Sequence, residues 1–202
     1  MNDSTVRDAY AARATEYIEA LGSVESMSPD DTALISAWGD SVDGRVIDAG
    51  SGPGHWTHHL HARGVAIEGV DLVPGFVESA RHRFAEVPFR IASLENLGVD
   101  DAALGGLLSW YSIIHAPPAQ LPGVLDEFAR CVRPGGSLLL GFFEGPVCEP
   151  FDHAVLTAYV WPVEALSRLL DEAGFEAVEV HTRTDAGHRP HGAIVARRRG
   201  NV

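Results

Sequence analysis

The stretch Val46-Ile47-Asp48-Ala49-Gly50-Ser51-Gly52-Pro53-Gly54 constrains this chain more than any other. A short apolar run ends in an acid, and glycines then fall at every second position. A segment of helical character follows, with Trp56 and Leu60 set among Thr57, His58, His59 and His61. That order reads as a buried strand, a tight turn and a helix start. Glycine permits positive φ and lets a ligand lie against bare main chain, so the turn is a place for a small molecule. The spacing argues against a dinucleotide, whose fingerprint is G-x-G-x-x-G. Here the third glycine comes one residue early, and His55 stands where glycine or alanine is wanted.

The rest of the chain limits what surrounds this turn. With 202 residues, 46% of them hydrophobic, it is long enough for one well-buried domain and short for two. The net charge of -13, from 28 acidic against 15 basic residues, repels phosphate backbones and makes nucleic acid a poor partner. Every basic residue is arginine, which excludes a Schiff-base lysine. Cys131 and Cys148 lack C-x-x-C spacing and read as reduced thiols in a cytoplasmic protein. No apolar run reaches membrane-spanning length, and the N-terminus has no apolar leader.

Along the chain, residues 3–21 carry Val6, Tyr10, Ala14, Tyr17, Ile18 and Leu21 on one helical stripe. Ser28-Pro29-Asp30-Asp31 has the composition of a capped helix start, with the helix running through Trp38. Strands and helices then alternate. Strands are expected at Arg45–Asp48, Ala66–Asp71, Pro88–Ala92, Leu107–Ile114 and Ser137–Phe143. Helices are expected at 54–63, Pro74–Ala85, Pro117–Cys131 and Pro162–Ala173, with a turn at Arg133-Pro134-Gly135-Gly136. This alternation implies a parallel sheet covered on both faces. Phe175–Thr182 and Gly192–Arg198 lie too close for a crossover helix and should pair as an antiparallel hairpin.

Five segments, in order and at matching spacing from about Tyr10 to Arg198, resemble the Rossmann-like S-adenosylmethionine-dependent methyltransferases. They are the glycine loop, Asp71, Ile91–Leu97, Leu107–His115 and Arg133–Leu140. The resemblance implies a three-layer α/β sandwich with a mostly parallel sheet and a C-terminal antiparallel hairpin. It implies one domain over 1–202, with 1–40 as an N-terminal helical lid and 45–202 as the core. It also implies S-adenosylmethionine as cofactor and a small-molecule methyl acceptor. The cofactor would meet Asp48, Gly50, Gly52 and Gly54. Asp71, at the tip of the second strand, would accept the ribose hydroxyls, and Leu72 would pack on the adenine face. Ser93 stands where the family often has an acid for the adenine amino group, and Leu94 would supply a backbone N–H. Ser109 and Trp110 would line the methionine end, and Tyr10 and Tyr17 resemble the family's lid tyrosines. At the fourth strand Gly105-Gly106 replaces an aspartate common in the family.

Methyl transfer from a sulfonium chiefly demands alignment, and a base only when the acceptor must lose a proton. His115, beyond the fourth strand, is the candidate base or acceptor-orienting group; its other reading is a loop residue before Pro117-Pro118. His55, His58, His59 and His61 lack a nearby acid or cysteine to complete a metal site and read as surface residues. Glu144, Tyr159, Trp161, His188 and Arg189 fall in segments expected near the acceptor. Two rival readings are a non-catalytic cofactor-binding sensor and a nicotinamide oxidoreductase.

Overall fold

The computed structural model describes residues 3–13, 24 and 27–200. Helix α1 spans Asp3–Ala11 and α2 Pro29–Ser41. They lead into β1 (Val46–Ala49), α3 (His55–Ala62), β2 (Ile67–Asp71), α4 (Pro74–Arg83) and β3 (Phe89–Ile91). Then come β4 (Leu104–Trp110), α5 (Leu121–Cys131), β5 (Val132–Glu144), β6 (Glu149–Phe151) and β7 (Ala158–Trp161). Helix α6 (Val163–Glu172), β8 (Phe175–Arg183) and β9 (His191–Arg198) complete the chain. The expected helix over 3–21 is seen as α1, which gives way to a turn at Ala12 and Arg13; the remainder of that expectation, with Tyr17, lies outside the described residues.

Among the described residues nine strands join one sheet, whose parallel core runs in the order β3-β2-β1-β4-β5. Strand β9 inserts antiparallel beside β5 and pairs antiparallel with β8, so the C-terminal hairpin is present as expected. Successive residues of a strand face opposite ways, and here both faces are covered. Ile47, Leu107, Leu138 and Leu140 pack with Leu125 and Phe128 of α5 and Leu166 and Leu170 of α6. Val46, Leu108 and Leu139 face Ile35 and Trp38 of α2 and Trp56 and Leu60 of α3. The first of these helices begins as its sequence dictates: Ser28 Oγ accepts from the Asp30 N–H at 3.3 Å, with Pro29 in the first turn. It is pinned to the sheet where the buried Trp38 Nε1 donates to Ser137 Oγ at 2.9 Å.

Several boundaries differ from those read in the sequence, each for a tertiary reason. The fourth strand was expected at Leu107–Ile114 but runs Leu104–Trp110. It begins earlier because Gly105 and Gly106 pass beneath the loop after α2. A Cβ on Gly105 would lie 1.8 Å from the Asp43 carbonyl oxygen, and one on Gly106 would lie 2.8 Å from Val42 Cγ1. That crowding accounts for glycines where the family often has an acid. The strand ends earlier because Tyr111 takes φ 55 and turns the chain, which leaves Ile113 and Ile114 buried in a loop. Helix α5 starts at Leu121, not Pro117, since Pro117 opens a turn closed by the Gln120 N–H. The expected turn at 133–136 is instead part of β5, with a register irregularity opposite Leu104 and Gly106. Strands β6 and β7 were not anticipated: they have three and four residues, too few to show alternation. Their hairpin adds to the end of β5 beyond β4, through Phe143 and Glu144. It forms a lip over the carboxyl end of the sheet.

Candidate active site

The carboxyl ends of β1, β2 and β4 open into a cleft of about 960 Å³, its mouth included. Its floor is the turn after β1, where three glycines do different work. A Cβ on Gly50 would lie 2.3 Å from Ser112 Cβ, and one on Gly54 would lie 2.7 Å from the Phe89 ring. Both glycines are therefore required by packing. Gly52 has φ +53 and nothing within 4 Å of an added Cβ, so its backbone is bare toward the cleft.

Two buried carboxylates hold this turn. Asp48, 2% exposed, accepts from Thr57 Oγ1 at 2.6 Å and ties β1 to α3. Burial pushes its pKa up to about 7, against the Thr57 bond and with help from the neighbouring charge of Asp71. Asp71, 8% exposed, borders the cleft. Its Oδ2 accepts from the Gly52 N–H and its Oδ1 from the Val73 N–H, each at 2.8 Å. Burial raises this carboxyl to about 6 despite those donors. A carboxylate offers about four acceptor sites, more than these backbone donors fill, so it can still receive a hydroxyl.

Across the mouth lies α1, whose Val6 and Tyr10, one turn apart, face the cleft. The Tyr10 ring meets Phe76 edge-on at 5.9 Å and reaches His115. His115 is 5% exposed. Its Nδ1 lies 2.8 Å from the Thr157 carbonyl oxygen, which can only accept, so Nδ1 carries the proton. Its Nε2 is then the acceptor and takes the Tyr10 hydroxyl at 2.7 Å. Burial lowers the imidazole pKa to about 4, opposed by the Thr157 bond and aided by nearby His153. His115 is thus neutral at pH 7, with one tautomer fixed. On the same cleft, the Tyr111 hydroxyl is hydrogen-bonded to Nδ1 of His191, and burial pushes its pKa up.

Of the residues singled out in the sequence, Tyr10, Gly50, Gly52, Asp71, Leu72, Leu94, Trp110 and His115 border the cleft together. Asp48 and Gly54 do not; they brace the turn from behind. Ser93 caps its own turn, accepting from the Glu95 N–H at 3.1 Å, and Ser109 is buried against Ser112 with 2.6 Å between hydroxyl oxygens. Neither borders the cleft, and nor do Glu144, Tyr159, Trp161, His188 and Arg189. Val6, Phe76, Tyr111 and Ser112 line it without having been singled out. Val6 was within reach, four residues before Tyr10 on the same helical face, whereas Phe76 and Ser112 needed the fold. The reading of four surface histidines needs one correction. Both ring nitrogens of His55 are buried without a partner, and burial lowers its pKa to about 4. Among the described residues no group of acids, histidines and cysteines could hold a metal ion.

Comparison with known proteins agrees with this geometry. Residues 46–136, from β1 to the start of β5, match the methyltransferase domain family. The chain is 27% identical over 139 residues to malonyl-[acyl-carrier protein] O-methyltransferase of Serratia marcescens, covering 68% of this chain and 54% of that protein. It is 31% identical over 157 residues to arsenite methyltransferase of Halobacterium salinarum, covering 70% and 39%. It thus spans about half the length of such curated relatives. Among solved structures, 1,6-didemethyltoxoflavin-N1-methyltransferase of Burkholderia thailandensis, with bound S-adenosylhomocysteine, superposes with a TM-score of 0.81. The match is at 20% identity and covers 98% of this chain and 88% of that one. Residues 46–136 thus match a methyltransferase domain, and the chain shares its Rossmann-like fold with solved methyltransferases.

Proposed function

We propose that this chain, acting as one unit, transfers a methyl group from S-adenosylmethionine to a small-molecule acceptor. Gly52 carries the reading: a bare, left-handed backbone position faces the cleft, and its N–H is tied to the carboxylate that would take the ribose. The residues fit that cofactor. Asp71 presents two carboxylate oxygens, Leu72, Ala92 and Leu94 offer apolar walls for a purine, and Trp110 and Ser112 stand at the far end. Asp48, Gly54 and Ser109 support this wall, and α1 serves as the lid. When bound, the cofactor supplies a methyl group on a cationic sulfur, an activated donor that needs alignment more than assistance. The free thiols Cys131 and Cys148 suit a reducing, cytoplasmic setting.

Isothermal titration with S-adenosylhomocysteine tests the binding half, and no heat at millimolar ligand would sink it. Transfer of tritiated methyl from S-adenosylmethionine into a panel of small acceptors tests the other half. Binding with no transfer to any member would favour a sensor over an enzyme.

A further inference from the structure

Resting on that reading, we infer that Tyr10 is the group that meets the acceptor, that His115 acts only through it, and that the acceptor is a neutral molecule bearing an O–H or N–H. Both ring nitrogens of His115 are already engaged. Nδ1–H donates to the Thr157 carbonyl at 2.8 Å, and Nε2 receives the Tyr10 hydroxyl at 2.7 Å. An acceptor entering the cleft therefore finds no open nitrogen on this histidine. It finds Tyr10, which borders the cleft and whose hydroxyl proton points at Nε2.

The arrangement is a two-step proton path. The acceptor's O–H or N–H bond breaks and its proton goes to Tyr10 Oη as the Tyr10 proton goes to His115 Nε2. The electron pair left on the acceptor atom becomes its bond to the incoming methyl carbon. Tyr10 ends neutral and His115 ends as imidazolium, its Nδ1–H still on Thr157. The positive charge that leaves the cofactor's sulfur reappears on the imidazole. The net charge of the cleft is the same before and after, so none has to be created in a dry site.

The walls point to the same class of acceptor. The ionisable side chains bordering the cleft, among the described residues, are Asp71, Glu95, Tyr10, Tyr111 and the neutral His115. No arginine is among them, and the chain has no lysine. A carboxylate acceptor would be desolvated there beside two acids with no cationic side chain among these residues, which is costly, and it would have no proton for the path to remove.

The deciding measurement is the nitrogen NMR spectrum of the His115 ring, which needs no acceptor. Wild type should show the Nδ1–H tautomer. In Tyr10→Phe the imidazole should titrate upward, because the hydroxyl that favours its neutral form is gone. An Nε2–H tautomer in wild type, or a titration unchanged in Tyr10→Phe, would overturn the proposal. The tritium panel should hold phenols, alcohols and amines beside carboxylic acids. Methylated members should come from the first group, and Tyr10→Phe should slow them by about 10²–10⁴-fold. His115→Asn should do likewise, and the double variant should be no slower than the worse single one. Methylation of carboxylic acids alone, or wild-type rates in Tyr10→Phe, would refute it. The affinity of Tyr10→Phe for S-adenosylhomocysteine separates the two levels. If wild type fails to bind, the methyltransferase reading falls; if both bind alike, any rate loss belongs to the proton path.

Discussion

Gly52 and Gly54 sit two residues apart and should fail in different ways. Gly52→Ala places a methyl group into the open cleft at a left-handed position, a strain of about 1–2 kcal/mol. Calorimetry should show S-adenosylhomocysteine binding lost or weakened by more than tenfold, with a modest drop in melting temperature. Gly54→Ala drives a methyl group into the Phe89 ring and the Ala80 methyl. Thermal melting should fall clearly, while the fraction that remains folded binds nearly as wild type. If the two variants behave alike, Gly52 serves only the turn. Asp71 has a similar double role. Replacing it with alanine removes the partner of two backbone N–H groups as well as the ribose acceptor. Binding should weaken by about 1.5–3 kcal/mol, about one to two decades, and some stability should be lost too. Since hydroxyl donors favour the ionised carboxylate, affinity in the wild type should climb as pH rises through about 6, the folded value for Asp71. A pH-independent dissociation constant between pH 5 and 7.5 would contradict this.

At the scale of elements, β4 is the most constrained strand. It lies between β1 and β5, and its first residues run under the chain between α2 and β1. Gly105→Ala cannot be relieved by a side-chain rotation, because the atom it meets is the Asp43 carbonyl. Urea unfolding should show a loss of about 1–3 kcal/mol, the usual cost of overpacking. A loss below 0.5 kcal/mol would mean that the loop yields. The other end of β4 matters for function. Tyr111 is a non-glycine residue in a left-handed conformation, held by its N–H to the Gly141 carbonyl and its hydroxyl to His191. Strain of this kind persists where surrounding structure enforces it. Here it stops the strand and turns Ser112 and His115 toward the cleft.

For the molecule as a whole, pH acts on four buried groups in opposite directions. Unfolded, the carboxyls titrate near 3.8 and the imidazoles near 6.5; folded, Asp48 and Asp71 move up to about 7 and about 6, and His55 and His115 down to about 4. Near pH 5 the folded state holds two extra protons on the carboxyls and lacks two on the imidazoles. Each carboxyl makes stability fall as pH rises from 3.8 through its folded value. Each imidazole makes stability fall as pH drops from 6.5 through its own. Together they cancel near pH 5. Asp48→Asn removes one carboxyl from this balance. Its stability should therefore decline with acidification more steeply than wild type, by about 1.4 kcal/mol per pH unit near pH 5. Urea midpoints measured across that window check it, and parallel pH profiles for the two proteins would disprove the opposition of these groups.

What the sequence determined by itself was local and periodic. The Asp48–Gly54 turn, the acid ending β2, the Ser28 cap and the alternation of strands and helices follow from conformational preference and hydrophobic spacing, which need only near neighbours. They were enough to indicate the fold, the carboxyl end of the sheet and eight of the residues that border the cleft. The tertiary structure decided what depends on distant parts of the chain. Gly105 is explained by Asp43, 62 positions earlier in sequence, and the early end of β4 by Tyr111 docking on Gly141 and His191. The short β6–β7 lip forms only because β5 extends past β4. Sequence nominated Tyr10 for the cofactor and His115 for the acceptor, as separate groups. Only the fold joins them into one hydrogen-bonded pair, 105 residues apart, because a contact of that range is set by packing and leaves no periodic trace in the chain.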